Sequence, residues 1–598
     1  MAMSKKDIFP FALLLALLLA WPYIDRHIIL KYFPREETVG PVVAEPAVAP
    51  ANAELTAAPA AITEPVEAEA TPAVSAAAPA SGEVAEQPPA RTVVLTNDLV
   101  ELVLTSRGGS VAQATLKDYA RALGVADPVV LDFGGSTAMA YENLAGLDGE
   151  RDFEMTAVDG RTVTFARTAA NGLSLRRTLT LGDRYVLEVL DVLENTTAAE
   201  LALPAHGLRT GPMRREVGHK DSAGVVTLGV DSLSPGGEKV QHWGGRIAKM
   251  FDAEMEDAGQ TGLPVSLDVA PNDRPVDWVA AKNKYFVQII TPSEGAETCR
   301  VKARRTLDPR EVAGGAAPKK MTELAEVAAS AVFAGQTLAV GEKVERRLTY
   351  YAGPKKYSEL SAAALHQVDV MEFGDWIKPI SKLLLRVLNF IHDFIPNYGI
   401  AIILLTIIVR VVFWPVTHKS TESMKRMQQV APLVTALREK YKDNPTKQQQ
   451  EIMALYKEHK VNPLGGCLPM LIQIPVFFAL FTVLRSAIEL RFADFLWIQD
   501  LSEPENLFAG MIPFVGSLNL LPLLMSATMY LQMKLSPSSG DPAQQKMMAI
   551  MMPIMMLFFL YSFASGLALY WTTQNVLMII QQVMMKKKSP APTALAKA

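Results

Sequence analysis

The chain has 598 residues, 49% of them hydrophobic and 20% charged, and its 58 Lys and Arg against 62 Asp and Glu give a net charge of −4. At about 150 residues per domain this length has room for several domains, and the acidic balance argues against sequence-specific or wrapping contacts with nucleic acid. The two cysteines exclude a disulfide scaffold, and the absence of a glycine-rich phosphate loop argues against a nucleotide-driven machine.

The N-terminal segment is hydrophobic and could be a cleaved signal peptide or an uncleaved anchor. An apolar run over residues 8–24 follows two lysines, as it does in secretory signals. The run ends in Trp-Pro-Tyr, without the small residues of a cleavage site. We therefore predict that residues 1–30 form a transmembrane signal anchor, with the lysines holding the N-terminus in the cytoplasm.

A low-complexity segment follows over residues 31–90. It consists mainly of Ala, Pro, Glu and Val, and residues 41–90 contain no Lys, no Arg and no aromatic residue. Such a composition cannot bury a core. We predict a disordered or semi-extended linker.

Residues 91–360 have the pattern of a soluble β-domain. Short runs of alternating apolar and polar residues are separated by glycine-containing turn signals. The runs are Val93–Leu95, Leu99–Leu104, Arg161–Ala166 and Leu173–Leu181, and the turn signals are Arg107-Gly108-Gly109, Asp159-Gly160 and Asn171-Gly172. Many short strands with turns between them predict an all-β sandwich.

This domain shows no pattern of residues that would support catalysis. His206, His219 and His242 are scattered, and none has a carboxylate at metal-ligand spacing. An isolated histidine in a β-domain is more often a surface or core residue than a catalytic one. We therefore predict no catalytic residue, no metal site and no cofactor.

The C-terminal part is predicted to be helical and membrane-bound. Residues 373–397 have apolar residues at helical spacing with charges between them, which predicts an amphipathic helix in the membrane interface. A helical core of residues 398–585 follows, and residues 586–598 form a short basic tail. The core contains five hydrophobic segments, at about 399–416, 463–484, 508–531, 547–563 and 567–584. With the signal anchor, these make six predicted transmembrane helices.

The charge distribution predicts the orientation of these helices. The polar segment 417–462 has nine Lys and Arg against five acids, and the tail carries four lysines. The loop 485–507 has two arginines against five acids, and residues 31–397 have 37 basic against 49 acidic residues. The positive-inside rule therefore places both termini and segment 417–462 in the cytoplasm, and the β-domain on the outer side of the membrane.

The cytoplasmic segment 417–462 is predicted to be a helical hairpin. Apolar residues recur every three or four positions, and Asn444-Pro445 interrupts the helix. The segment is either a solvated connector or a mobile docking element. The candidate docking residues are Met424, Met427, Tyr441 and Tyr456.

Arg410 is a charged residue inside the first hydrophobic segment of the core. An arginine near a helix centre costs about 2.5–3.5 kcal/mol on insertion. It either snorkels to the interface or faces a water-filled cavity. No Asp or Glu lies within the five hydrophobic segments, so the sequence favours a wet groove over a buried ion pair.

Several motifs of this chain resemble those of the YidC membrane protein insertases. The resemblance is continuous from about residue 373 to 585 and weaker over the β-domain. The motifs are Val461–Pro475, Thr406-x-x-x-Arg410, Asp541-Pro542-x-Gln544-Gln545-Lys546, Ser565-Gly566-Leu567-x-Leu569-Tyr570-Trp571 and Thr105–Gly109.

The resemblance implies a fold and a site. The fold is a polytopic α-helical membrane protein with a five-helix insertase core and a periplasmic β-supersandwich domain. The site is a hydrophilic groove open to the cytoplasm and closed to the outside. Its candidate residues are Arg410, Thr406, Gln473, Gln532, Tyr570 and Trp571.

The same resemblance implies function and partners. A functional monomer in the bacterial inner membrane would insert nascent membrane proteins without enzyme chemistry, alone or beside the Sec translocon (SecYEG and SecDF). The ribosome, the signal recognition particle receptor and the lipid bilayer are the other expected partners. Two other classes stay open from the residues alone. A transporter predicts inverted repeats and embedded carboxylates, and a tethered carbohydrate-active enzyme predicts paired carboxylates in the β-domain.

Overall fold

A computed structural model describes most of the chain after residue 89. It covers residues 90–157, 159–215, 227–237, 239–257, 266–270, 274–305, 324–363, 366–374, 376–459, 461, 468–508, 517–536 and 542–587. The predicted signal anchor, the linker up to residue 89 and the tail beyond residue 587 lie outside the described residues. The expectations for these three segments stay predictions.

The described residues before Tyr357 are mostly β-structure. The strands are β1 (Thr92–Thr96), β2 (Val100–Thr105), β3 (Ser110–Ala120), β4 (Pro128–Asp132), β5 (Tyr141–Glu142), β6 (Glu154–Ala157), β7 (Thr162–Thr168), β8 (Leu173–Leu181), β9 (Val186–Asn195), β10 (Leu201–Leu203), β11 (His206–Arg209), β12 (Met213–Arg214), β13 (Gly229–Leu233), β14 (Val240–His242), β15 (Ser266–Val269), β16 (Trp278–Lys282), β17 (Phe286–Pro292), β18 (Thr298–Arg305), β19 (Leu324–Phe333), β20 (Gln336–Leu338) and β21 (Lys343–Pro354).

Two large antiparallel sheets form the body of this domain. One has nine strands in the order β14-β13-β16-β17-β21-β9-β8-β7-β6, and the other has the order β15-β18-β19-β11-β5, with β12 also pairing with β19. Strand β19 packs across β16 and β13 of the larger sheet. The four-stranded sheet β1-β2-β3-β4 and the pair β10-β20 complete the domain. The prediction of a β-rich domain is confirmed.

The alternation in the sequence marks the buried face of these strands. In β8 the side chains of Leu173, Leu175, Leu179 and Leu181 are buried, as a period of two requires. The turn signals lie where strands end, and Gly172 has a φ of 82°, which favours glycine. Local pattern and fold agree here.

One helix interrupts the predicted all-β pattern. It is α1 (Gly244–Asp257), between β14 and β15. Trp243, Ile247 and Phe251 are buried at helical spacing and attach it to the domain. The all-β prediction is wrong at this position, because these three apolar residues have a period of four and not of two.

The C-terminal part is helical, as predicted. After the short helix α2 (Tyr357–Ala363) and a 3₁₀ helix over Gln367–Met371, the helices are α3 (Lys378–Phe394), α4 (Tyr398–Val412), α5 (Trp414–Lys440), α6 (Pro445–Glu458), α7 (Leu468–Ser486), α8 (Leu520–Leu535), α9 (Pro542–Leu560) and α10 (Ser565–Lys587). Helix α10 packs against α4, α7 and α8, and α9 packs against α8. Helix α10 is therefore central to this part of the chain.

Several helix ends differ from the predicted segments. Helix α4 ends at Val412, earlier than the predicted 416, because Pro415 in the first turn of α5 has no backbone N–H to donate to the carbonyl of Val411 and its ring crowds that carbonyl. Helix α8 begins at Leu520, and residues 509–516 of the predicted segment 508–531 lie outside the described residues. The carboxylate of Glu505 accepts hydrogen bonds from the backbone N–H groups of Leu520 and Leu521 at 2.9 and 2.5 Å and caps the helix there.

The lengths of the described helices bear on the predicted spans. Among the described residues, no single helix is both long and apolar enough to cross a membrane; the pair α4 and α5 passes this test together, with a bend of 64° between its members. The six-span arrangement stays a prediction.

Helix α3 has a buried apolar face and also exposes aromatic side chains on its other side. One face, with Leu384, Leu385 and Leu388, is buried, and the helix packs against α4 and α7. On the other side Phe390 and Phe394 are 62% and 73% exposed. Apolar groups on both sides fit a helix that packs on protein and also faces an apolar medium.

Candidate functional site

Polar side chains in the helical part gather along α10. Its hydroxyl and amide groups reach α4, α7 and α8, and most of them are buried. The α10 residues concerned are Tyr570, Gln574, Asn575, Gln581 and Gln582. A buried polar group is costly unless it is hydrogen-bonded, so their partners define the site.

The buried arginine pairs with an amide of this helix. Arg410 is 7% exposed, and its Nη2 donates to Oε1 of Gln581 at 2.7 Å. Its Nε atom has no hydrogen-bond partner in the described part of the chain. One turn earlier on α4, the fully buried Thr406 donates to the carbonyl of Ile402 at 2.6 Å. The guanidinium therefore keeps its net positive charge and a spare donor.

A second network joins α7 to α10. The amide of Gln473 donates to the hydroxyl of Tyr570. Gln574 Nε2 donates to Oε1 of Gln473 at 3.1 Å. Trp571 lies beside this pair, and its ring meets Phe477 edge to face with centroids 4.8 Å apart. Three of the predicted groove residues are thus brought together by direct contacts and by the packing of α7 on α10.

Gln532 is in a third network, at the C-terminal end of α8. Its Nε2 donates to Oγ of Ser536 at 3.0 Å, and Gln582 Nε2 donates to the same oxygen at 2.7 Å. Asn575 ties the middle of α8 to α10 through the carbonyl of Met525 at 3.2 Å. No described hydrogen bond joins Gln532 to Arg410.

The sequence interpretation missed Gln581 and Gln582. A signal was present, because Gln574 and Gln581 are seven residues apart and therefore lie on one face of a helix. All partners in the three networks are neutral apart from Arg410. Such an arrangement suits transient contact with polar or acidic groups and offers no pair of titratable groups for acid–base catalysis.

The four candidate docking residues take different positions in the α5–α6 hairpin. Met427 and Tyr456 pack on a small apolar cluster of Val430, Val434, Ile452 and Val461. Tyr441 ends α5, and its ring contacts the ammonium groups of Lys440 and Lys447. Met424 is half-buried. The interruption predicted at Asn444-Pro445 is confirmed, because Asn444 caps α6 by accepting from the N–H of Lys447.

The loop between α7 and α8 contacts both the β-domain and the start of α10. The hydroxyl groups of Tyr285 and Ser502 lie 2.7 Å apart, and Lys284 pairs with Glu503 and donates to the carbonyl of Ser502. The same loop accepts from α10, because the N–H of Ser565 donates to the carbonyl of Glu503 at 2.8 Å.

The backbone of this loop lies very close to the beginning of α10. The N–H of Gly566 donates to the carbonyl of Leu501 at 2.8 Å. A Cβ on Gly566 would lie 3.0 Å from that carbonyl oxygen, tighter than most real contacts. The close approach of this carbonyl therefore explains the glycine in the Ser565-Gly566 motif.

Three groups that the sequence left scattered meet in the β-domain. Ligand atoms of Asp231, His242 and Glu372 lie within 4.8 Å of one another. Lys282 Nζ lies 2.5 Å from Asp231 and 2.6 Å from Glu372, so one ammonium already pairs with both carboxylates. Burial alone would raise the pKa of Glu372, but Lys282 and His242 outweigh it and hold that pKa at about 2. The cluster is an ion-pair network rather than a prepared cation site.

Comparisons with known proteins cover both parts of the chain. Residues 390–592 match the family model of the 60Kd inner membrane protein, and residues 92–387 match that of the YidC periplasmic domain. The membrane protein insertase YidC of Pelobacter propionicus is 34% identical over 530 residues, which are 86% of this chain and 89% of that protein. The insertase YidC of Oleidesulfovibrio alaskensis is 31% identical over 611 residues, 98% of this chain and 100% of that protein.

A solved structure of an active YidC insertase with its first transmembrane domain resolved is also similar. It covers 84% of this chain and 95% of its own, with 19% identity and a TM-score of 0.33. The assignment to a family rests on these two relatives, because the match covers 89% and 100% of their length. The chain belongs to the YidC family of membrane protein insertases, inner-membrane proteins that are not enzymes.

Proposed function

We propose that this chain inserts nascent proteins into the bacterial inner membrane and helps them to fold and assemble there. The proposed site is a hydrophilic groove, open to the cytoplasm, whose polar lining comes from α10 and its neighbours α4, α7 and α8. The observation that carries the proposal is the buried, amide-paired Arg410. A charged side chain without an ionic partner costs free energy in an apolar medium. Such a residue therefore indicates a functional site where the charge acts on a ligand.

The mechanism follows from this charge and from apolar surface nearby. A hydrophobic segment of the client would slide along the exposed apolar faces of α7 and α9. Phe558 and Phe559 of α9 are 85% and 63% exposed. The polar flank of the client would occupy the groove for a short time, where Arg410 attracts acidic groups. Transfer of the apolar segment into lipid then supplies the driving force.

The proposed topology has six spans with both termini in the cytoplasm. It is supported by the concentration of Lys and Arg in segment 417–462 and in the tail. The α5–α6 hairpin would then face the cytoplasm and receive clients from the ribosome and the signal recognition particle receptor. The Sec translocon, with SecYEG and SecDF, would be an optional partner of a functional monomer.

Reconstitution of the full chain alone tests this function. Purified protein in liposomes is offered a newly made small membrane protein with a short acidic translocated tail, and protease protection of the tail is measured. Protection above that of empty liposomes, lost in Arg410→Ala, is expected. Protection equal to that of empty liposomes would refute autonomous insertion.

Deletion of residues 91–360 gives a second test. An insertase whose groove lies in the helical part should keep most of its activity after this deletion. Complete loss of insertion, with the helical part still folded by circular dichroism, would move the site into the β-domain.

A further inference from the structure

A small cavity lies between the β-domain and the helical part. Its walls come from the end of β16, the residues after β21, the segment after the 3₁₀ helix and the C-terminal end of α7. The lining residues that matter are Lys282, Lys284, Lys355, Glu372, Arg485 and Ser486. Four of these six are basic, and Glu372 is the acid among them.

Two of the four cations are already held in close ion pairs. Lys282 pairs with Asp231 and Glu372, and Lys284 pairs with Glu503. Arg485 lies over the ring of Phe481, with 5.4 Å between the guanidinium carbon and the ring centroid. The carboxylates that attract the fourth cation, Lys355, are Glu372 and Asp231, and both are already paired with Lys282.

Lys355 is the cation that is attracted by carboxylates without forming a close ion pair with one. The residue is 5% exposed, and its backbone N–H donates to the carbonyl of Tyr285 at 2.7 Å. Within the described part of the chain, its ammonium has no hydrogen bond and no ion pair. A buried ammonium without a hydrogen bond is disfavoured, and an anionic oxygen beside it would supply the missing acceptor.

The electrostatics of the cavity also disfavour the charged form of Lys355. Burial, followed by the positive charge of Lys282, lowers the pKa of Lys355 to about 7. An anion in the cavity would oppose both effects and restore the charge.

We propose that this cavity binds an oxyanion of the phosphate type. The enclosed space for a water-sized group is about 20 Å³, enough for about one oxygen-sized group. One anionic oxygen would enter and meet Lys355, while the rest of the group stays at the open side near Arg485 and the hydroxyl of Ser486. The anion is a soluble phosphate or the head group of an anionic phospholipid.

The position of the cavity at the end of α7 supports a lipid source. Arg485 and Ser486 end α7, and the predicted span of this helix ends at about residue 484. Its end would thus lie at the level of phospholipid head groups on the outer side. This inference concerns a different place from the groove and does not rest on the insertase activity.

Calorimetry on the full chain in non-ionic detergent and phosphate-free buffer tests the site. Titration with inorganic phosphate at pH 7 should give saturable binding at one site per chain. Lys355→Met should weaken it at least about ten-fold, since a charge-assisted hydrogen bond is worth about that factor or more. Lys343→Met, at the exposed far end of β21, should leave it unchanged. Unsaturable heats, or equal affinity in Lys355→Met, would overturn the proposal.

Sulfate titrations test the site in the unmodified protein. Sulfate keeps its charge between pH 6 and pH 8, so a change in its affinity reports on the protein. Affinity about ten-fold lower at pH 8 than at pH 6 is expected if Lys355 must be charged. Affinity that does not vary with pH would contradict the assignment to Lys355.

Nanodiscs distinguish the two sources of the anion. Native mass spectrometry would compare discs with and without phosphatidylglycerol in a phosphatidylcholine background. A phosphatidylglycerol retained by the unmodified chain, and lost in Lys355→Met or with excess phosphate, assigns a lipid. Equal lipid retention in both proteins, with phosphate binding that depends on Lys355, assigns a soluble anion. Absence of both dependences refutes the site.

Discussion

The guanidinium of Arg410 on α4 and the amide of Gln581 on α10 are joined by a hydrogen bond of 2.7 Å. A neutral partner holds the side chain in place without cancelling its charge. An acidic partner would have given a stable ion pair with little attraction left for a client. The amide therefore separates two roles, orientation by Gln581 and attraction by Arg410.

This separation leads to the first prediction. Arg410→Ala should reduce insertion of clients with an acidic translocated tail about ten-fold, the factor that corresponds to the loss of one charge-assisted contact. Gln581→Ala keeps the charge and should reduce insertion much less. The measurement is protease protection of the tail in liposomes, with acidic-tailed and neutral-tailed versions of the same client.

The pair of clients provides the control. Equal losses for acidic and neutral tails in Arg410→Ala would contradict the electrostatic role. If neither client were affected, the groove itself would lose its support. A loss in Gln581→Ala as large as that in Arg410→Ala would show that orientation matters as much as charge.

The sequence predicted Arg410 as a functional residue but could not predict its partner. An arginine inside an apolar segment can be recognised from the sequence, because the cost of burying its charge depends on the residues next to it. Gln581 is separated from it by 171 positions, and only the packing of α10 on α4 brings the two together. The end of α4 and the start of α8 were likewise set by Pro415 and Glu505, single residues that an average over apolar segments does not detect.

The link between Lys284 and Glu503 leads to a second prediction. Lys284→Met removes the ion pair and the hydrogen bond to the carbonyl of Ser502, leaving a mostly buried carboxylate without its cation. Local opening of the loop should become easier by about 1–3 kcal/mol. Hydrogen–deuterium exchange should then speed up at the N–H groups of Ser565 and Gly566, which donate to this loop.

A lysine elsewhere in the β-domain serves as the matched control. Lys302 pairs with Glu142 at 2.7 Å within the sheet, and Lys302→Met should leave exchange at the start of α10 unchanged. Unchanged exchange in Lys284→Met would mean that the loop is held by its contacts to α10 alone.

The buried ion pair of Arg177 and Asp191 leads to a third prediction. Both side chains are fully buried, with Nε and Oδ1 2.7 Å apart, and the hydroxyl of Tyr141 also donates to Asp191. Asp191→Ala leaves a buried charge unpaired and should cost about 3–5 kcal/mol of unfolding free energy. Urea unfolding of the full chain in detergent, followed by tryptophan fluorescence, measures it.

Two variants separate pairing from simple loss of charge. Asp183 pairs with Arg161 on the surface, where its side chain is 89% exposed, so Asp183→Ala should leave the urea midpoint unchanged. The double variant Arg177→Met with Asp191→Leu removes both charges and should recover much of the lost stability. A double variant as unstable as Asp191→Ala would show that shape, and not charge, is responsible.

The β-domain was the more predictable part of the fold, because alternation and turn residues are local signals. What alternation could not show is which strands pair at long range. Asp231 and Glu372 meet around Lys282 only because β13 pairs with β16 and the chain returns after β21. The cavity with Lys355 depends on the same return and on the end of α7, and no single segment of sequence contains it.

His206 leads to the last prediction, which concerns pH. The ring is 1% exposed, its Nδ1 lies 2.7 Å from the carbonyl of Pro204, and Arg346 donates to Nε2 at 2.9 Å. A proton on Nε2 would oppose that donor. Burial, aided by the charge of Arg346 and against the pull of the Pro204 carbonyl, lowers the pKa of His206 from 6.5 to about 4.

The sign of the effect follows from where the proton prefers to bind. Between pH 6.5 and pH 4 the unfolded chain binds the proton and the folded chain does not, so stability is complete above pH 6.5 and falls as the pH drops. From pH 7 to pH 4.5 this group should cost about 2 kcal/mol of unfolding free energy. His206→Gln, which can accept from Arg346 and donate to Pro204 but cannot titrate, should flatten this decline in urea unfolding. Because the depressed pKa of Glu372 acts only below pH 4.5, an equally steep decline in the variant over this range would assign the pH dependence to another group.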